Sequence, residues 1–136
     1  MNAAYKNPLP SEIGNVIIAD DDENVCIRLK EQFEGLGYGV YVCQTLSDFM
    51  EIEHDHLKCV ILDINLDNNE AFQVIQMIRQ SNHESNVPIL LTSNVPSTTL
   101  VIKGLNAGAD DYILKPFSHR ELMARANAVM RSRGFL

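Results

Sequence analysis

At 136 residues the chain has the length of one ordinary domain and is too short for two. A globule of this size buries roughly two-thirds of the surface that its unfolded chain exposes, so neither disulfides nor a structural metal is required to hold it together. Apolar residues at 46% and charged residues at 21% exclude a disordered chain, and a net charge of −7 argues against direct contact with nucleic-acid phosphates.

Residues 1–15 carry two prolines and no periodicity, and read as a flexible N-terminal arm. Met1 to Pro10 has one lysine and no apolar centre, unlike a secretory signal. From there apolar runs and helix-period segments alternate five times. Val16 to Ala19 is a short apolar run that stops at acids, and Val25, Leu29, Phe33 and Leu36 then form one helical stripe before Gly37. Val40 to Cys43 is a second run, after which Ser47 is expected to cap a short helix reaching about His56.

Cys59 to Leu62 is the third run, and Phe72, Ile75, Met77 and Ile78 mark the next helix. Val87 to Leu91 is the fourth, with Pro88 near its start, where a strand tolerates proline. Thr98 to Asn106 reads as a helix closed by Gly108. Tyr112 to Leu114 is the last run. Ser118 caps a final helix with Leu122, Ala126, Val129 and Met130 on its apolar face.

Short apolar strands alternating with amphipathic helices predict parallel strands joined by right-handed crossovers, hence a three-layer α/β sandwich. No stretch approaches the roughly 20 apolar residues that span a bilayer, so no membrane association is expected. Cys26, Cys43 and Cys59 are odd in number and widely spaced, which suits free thiols in a cytoplasmic setting.

Open parallel sheets bind ligands beyond the carboxyl ends of their strands, near the point where strand order reverses. The first run is followed by Asp20, Asp21 and Asp22, the third by Asp63, the fourth by Thr92 and Ser93, and the last by Lys115 and Pro116. Carboxylates about 5 Å apart repel by roughly 3 kcal/mol per pair at an effective dielectric of about 20, and a divalent cation relieves that repulsion. All-oxygen ligands suit Mg²⁺. A carboxylate there can attack phosphorus to form an aspartyl phosphate, with a lysine and a hydroxyl sharing the phosphoryl oxygens. Taken singly each acid also reads as a cap, and Asp22 in particular is placed to cap the first helix. Their joint occurrence at four strand ends points to a site.

The segments Val16 to Asp21, Val60 to Leu66, Pro88 to Ser93 and Gly108 to Phe117 together resemble the receiver domains of two-component response regulators, from residue 16 to about 133. Thirty residues separate Asp63 from Ser93 and twenty-two separate Ser93 from Lys115, which fits that family's alignment without gaps. The resemblance implies a doubly wound, flavodoxin-like sheet of five parallel strands in the order 2-1-3-4-5 with five helices. It implies a receiver domain over 16–133, with 134–136 as a C-terminal tail. Asp63 would be the phosphoacceptor, assisted by Lys115 and Ser93. Mg²⁺ would be held by Asp20, Asp21, Asp63 and the backbone carbonyl of Asn65. Ser93 and Tyr112 would be the switch residues, and the Lys115–Pro116 bond would be cis. The last helix and its approach, Asp110 to Arg125, are similar to those of receivers that precede a winged-helix DNA-binding domain and pair through helix 4, strand 5 and helix 5. Lys103, Asp110, Asp111, Glu121 and Arg125 are the candidates for that homodimer face. The implied partner is a histidine kinase or phosphotransfer protein, and the domain is a phosphoacceptor that assists its own phosphorylation and dephosphorylation, not an enzyme acting on other substrates. It would be either free-standing or part of a longer regulator.

Two departures stand out. Leu66 to Ala71 lacks the proline and glycines usual after the phosphoacceptor, and Asn94 follows Ser93 where a small residue is usual. The altered loop supports a second reading, a pseudo-receiver that keeps the fold without phosphorylation. A third, a small phosphatase or nucleotide-binding enzyme, wants a general acid two residues beyond Asp63, where Asn65 stands, and a Gly-rich phosphate loop. The stretch from Asp63 imitates a calcium loop but has Asn68 and Val74 where glycine and glutamate are required. His54, His56 and Cys59 lack a further ligand at zinc spacing.

Overall fold

Runs of valine, isoleucine and leucine pack well on a pleat buried on both sides, and here they form one parallel sheet. A computed structural model of the chain describes residues 12–52, 55–68 and 70–136. The expected N-terminal arm up to residue 11, together with His54 and Asn69, lies outside them. The strands are β1 (Asn15–Ala19), β2 (Gly39–Cys43), β3 (Leu57–Asp63), β4 (Ile89–Ser93) and β5 (Asp111–Leu114). They alternate with α1 (Glu23–Gly35), α2 (Leu46–Glu51), α3 (Ala71–Gln80), α4 (Thr98–Ala107) and α5 (His119–Ser132). The order across the sheet is β2-β1-β3-β4-β5, all pairs parallel, as the resemblance implies.

Alternation along the strands divides the core in two. Val16, Ile18, Val40, Val42, Cys59, Ile61, Leu90 and Ile113 pack against α1 and α5 through Leu29, Phe33, Leu122, Ala126 and Met130. Ile17, Tyr41, Val60, Leu62, Ile89 and Leu91 face α2, α3 and α4 through Phe49, Val74, Ile75 and Leu100. This is the expected three-layer sandwich. Phe33 is fully buried and meets Tyr38 edge to face, with ring centroids 5.8 Å apart.

Local chemistry adjusts several expected boundaries. Thr45, not Ser47, caps α2 by accepting the Asp48 N–H at 3.0 Å, and α2 ends at Glu51, well short of residue 56. Leu36 lies beyond α1 and is exposed, so the buried stripe is Val25, Cys26, Leu29 and Phe33. Met77 likewise faces solvent, and Val74 takes its place in the core. Asn15 already belongs to β1, β3 starts two residues before Cys59, and β4 starts after the buried Val87 and Pro88. Gly108 closes α4 at φ +125°, a backbone conformation that side chains rarely adopt.

At the amino end of the sheet one acid gathers two arginines. Asp110 Oδ2 accepts from Arg79 Nη2 at 3.1 Å and from the Ile89 N–H at 2.8 Å, while Asp110 Oδ1 accepts from Arg133 Nε at 2.6 Å. Arg79 also donates to the carbonyls of Gly108, Ser85 and Val87. The network ties α3, the entry to β5 and the end of α5 together. Phe135 follows α5 and packs against both halves of the core.

Candidate functional site

β1 ends at Ala19, and the next residues build a turn from carboxylates. Asp20 Oδ1 accepts the Asp22 N–H at 2.9 Å, an Asx turn, and Asp22 Oδ1 in turn accepts from Asn24 N at 2.9 Å and Val25 N at 3.3 Å to cap α1. Asp22 is therefore the cap it could be read as. The turn buries Asp20 and leaves Asp21 exposed.

Asp63 is the last residue of β3, and its Oδ1 accepts the Asn65 N–H at 3.1 Å. Lys115 follows β5 and extends its ladder by donating its N–H to the Ser93 carbonyl at 2.6 Å. Its ammonium reaches 2.7 Å from Asp20 Oδ2 and 3.5 Å from Asp63 Oδ2. The Lys115–Pro116 peptide is cis. Carboxylate oxygens of Asp20, Asp21 and Asp63 all lie within 4.8 Å of one another, an arrangement that suits a hard divalent cation.

Burial raises the Asp20 pKa above the ordinary carboxylate range, and the neighbouring Asp63 charge adds to the effect against the Lys115 and Asp22 hydrogen bonds. Burial also opposes the Lys115 ammonium, yet its bonds to Asp20 and Asp63 outweigh that and raise its pKa. The Cys26 thiol donates to the Asp20 carbonyl at 3.2 Å; burial, then the charge of Asp20, pushes its pKa up to about 12, so it stays a thiol.

Ser93, 2% exposed, ends β4. Its hydroxyl donates to the Val95 carbonyl at 3.0 Å and accepts the Val95 N–H at 3.1 Å. Asn94 Oδ1 accepts from Asn65 Nδ2 at 3.0 Å, so a side-chain bond joins the loops after β3 and β4 at the cleft mouth. The cleft has a volume of about 610 Å³ and is lined by Asp21, Asp63, Asn65, Asn94 and Lys115, with Val25, Arg28 and Phe117 on its outer wall. Tyr112 is exposed beside a smaller groove of about 190 Å³ formed with Val95, Pro96 and Val101.

Arg28 was not signalled by sequence, and Thr92, named there only as a residue at the end of the fourth run, was given no role. Arg28 reaches the cleft because it follows Val25 by three residues on α1. Thr92 is 1% exposed, and its hydroxyl has no hydrogen-bond partner among the described residues. The strand register, which no local pattern discloses, sets it beside Asp63.

Residues 16–127 match the family described as the response regulator receiver domain. The chain belongs to this family. As a receiver domain it is 38% identical over 116 residues to the transcriptional regulatory protein YrkP of Bacillus subtilis, covering 85% of this chain and 49% of that protein. It is 32% identical over 119 residues to the transcriptional regulatory protein CpxR of Escherichia coli, covering 88% and 50% respectively. This receiver thus spans about half the length of these relatives. The beryllofluoride-activated DrrB receiver domain superposes with a TM-score of 0.77 at 29% identity, covering 87% of this chain and 97% of that one. DrrB itself, a Thermotoga maritima OmpR/PhoB homologue, gives 0.76 at 28% identity, covering 88% and 53%.

The charged residues expected on a dimer face separate in this receiver. Arg125 bonds Asp111 at 3.2 Å and Glu121 at 3.3 Å within the chain. Lys103 lies 4.5 Å from the ring centroid of Phe72, toward α3. Asp110, next to Asp111 at the amino end of β5, is instead committed to Arg79 and Arg133. No helix among the described residues is long and apolar enough to cross a membrane.

Proposed function

We propose that the domain is a phosphorylation switch in which Asp63 accepts a phosphoryl group from a partner histidine kinase or phosphotransfer protein. The observation that carries this reading is the convergence of Asp20, Asp21, Asp63 and Lys115 in one cleft. An Asp63 oxygen attacks phosphorus, the P–N bond of the donor phosphohistidine breaks, and the electron pair leaves with the imidazole, which takes a proton from solvent. Lys115 balances charge on the phosphoryl oxygens. Asp20, Asp21, Asp63 and the Asn65 carbonyl would hold Mg²⁺, which when bound supplies further positive charge at the phosphoryl group. The Ser93 hydroxyl then exchanges Val95 for the phosphoryl group, and Tyr112 moves toward the groove beside it.

In this reading the exposed apolar residues Ile102, Leu105, Tyr112 and Leu114 on α4 and β5 form the output face, with Asp111, Glu121 and Arg125 at its edge. The output is transcriptional, as the relatives' names suggest, through the winged-helix domain that the resemblance implies, and a cytoplasmic setting accords with three free thiols. Homodimerisation through this face is part of the proposal. No direct nucleic-acid contact by the receiver is expected.

Incubation with acetyl phosphate and Mg²⁺ followed by intact-mass measurement tests the proposal. The wild type should gain one phosphoryl mass and the Asp63→Asn variant none. A wild type that gains no mass under any donor would favour a pseudo-receiver, and multiple turnover of a small phosphorylated substrate would favour a phosphatase.

A further inference from the structure

Buried hydroxyls are nearly always hydrogen-bonded, and one left unpaired asks for an explanation. Thr92 Oγ1 is such an atom. In the register Thr92 pairs with Asp63 on one side and Ile113 on the other. Neighbouring residues in register share a face, so Thr92 stands on the α1–α5 side with Asp63, Ile113 and, two residues on, Lys115. Lys115 follows β5, yet its ammonium reaches Asp63 on β3 and Asp20 beyond β1. β4 lies between β5 and β3, and the β4 residue on that face level with Asp63 is Thr92, two residues short of the level of Lys115.

The donor count completes the argument. An ammonium carries three N–H donors, and in this structure two are directed at Asp20 and Asp63. One donor is left on Lys115, and the Thr92 hydroxyl, on the same face of the neighbouring strand, is unpaired. We propose that Thr92 is a positioning residue for Lys115: its hydroxyl takes the third N–H when the ammonium turns to the phosphoryl oxygens on Asp63. A valine of the same shape would fill the space equally well, but could not steer the ammonium.

This inference rests on Asp63 being the phosphoacceptor. The test compares wild type, Thr92→Val, Thr92→Ser, Lys115→Gln and the Thr92→Val/Lys115→Gln double variant. Each is treated with acetyl phosphate over a range of concentrations in Mg²⁺, and the rate of phosphoryl mass gain is read. Thr92→Val should fold with a thermal midpoint at or above wild type, because it removes an unpaired buried hydroxyl. Its rate at saturating donor should fall about tenfold, with the half-saturating concentration unchanged. Thr92→Ser should restore the rate. In the Lys115→Gln background Thr92→Val should have no further effect, a non-additivity that a packing role would not produce. Wild-type rates in Thr92→Val, or a tenfold loss that persists without Lys115, would overturn the inference while leaving the phosphoacceptor reading intact. A wild type that gains no mass would remove both.

Discussion

Asp20 is 3% exposed and sits between a lysine ammonium and the Asp63 carboxylate, and burial lifts its pKa above its ordinary value of 3.8. A carboxylate with a raised folded-state pKa binds more protons folded than unfolded, so its contribution to stability falls as pH rises from the ordinary value through the raised one. Asp20→Asn removes that penalty. In Mg²⁺-free buffer the variant should therefore match wild type near pH 4. By pH 7 it should exceed wild type by about 1 kcal/mol, or about 3–5 °C in thermal midpoint. A gap between the two that stays flat or closes as pH rises would contradict this account of the charge cluster. Asp20, Asp21, Asp63, Ser93 and Lys115 were legible as a set because each follows an apolar run and strand ends converge. Thr92 closes the same kind of run, but its role was not legible, since a threonine there reads the same whether its hydroxyl is paired or orphaned. Only the register separates those cases.

The elements are held at the opposite end of the sheet by Arg79, Asp110 and Arg133. Arg79 reaches three carbonyls and one carboxylate, so its removal strands acceptors from the end of α4 to the approach to β4. Arg79→Ala should cost about 3 kcal/mol in chemical denaturation, and Arg79→Lys, which keeps the charge but not the planar set of donors, should recover only part of it. A loss below about 1 kcal/mol for Arg79→Ala would show that the network does not hold these elements. Nothing local in the sequence announces this network, because Arg79, Asp110 and Arg133 lie on three separate segments. Asp110 and Asp111 look alike in the chain, yet they bind different arginines. Strand existence and order were readable from alternation and resemblance. Helix ends were less so, because Thr45 and Ser47 are both good caps and only the backbone at Thr45 offers the right extended geometry.

For the protein taken entire, the two ends of the sheet divide the labour: paired charges lock one, and like charges crowd the other. A cation binding only the folded state raises stability by about 2.7 kcal/mol at one hundred times its dissociation constant. The thermal midpoint of wild type should accordingly climb with added Mg²⁺. Asp21→Ala, altering an exposed side chain, should keep or slightly raise the Mg²⁺-free midpoint and lose the climb; a wild type indifferent to Mg²⁺ would sink the cation-site reading. The Ser93 hydroxyl, meanwhile, both gives to and takes from Val95. Any travel toward Asp63 surrenders two bonds in a single stroke, at a cost of about 1 kcal/mol each if neither is replaced. In the proposed switch, halfway positions would forfeit the old contacts without securing new ones, so the loop after β4 would behave as a detent with two resting places and not as a dial.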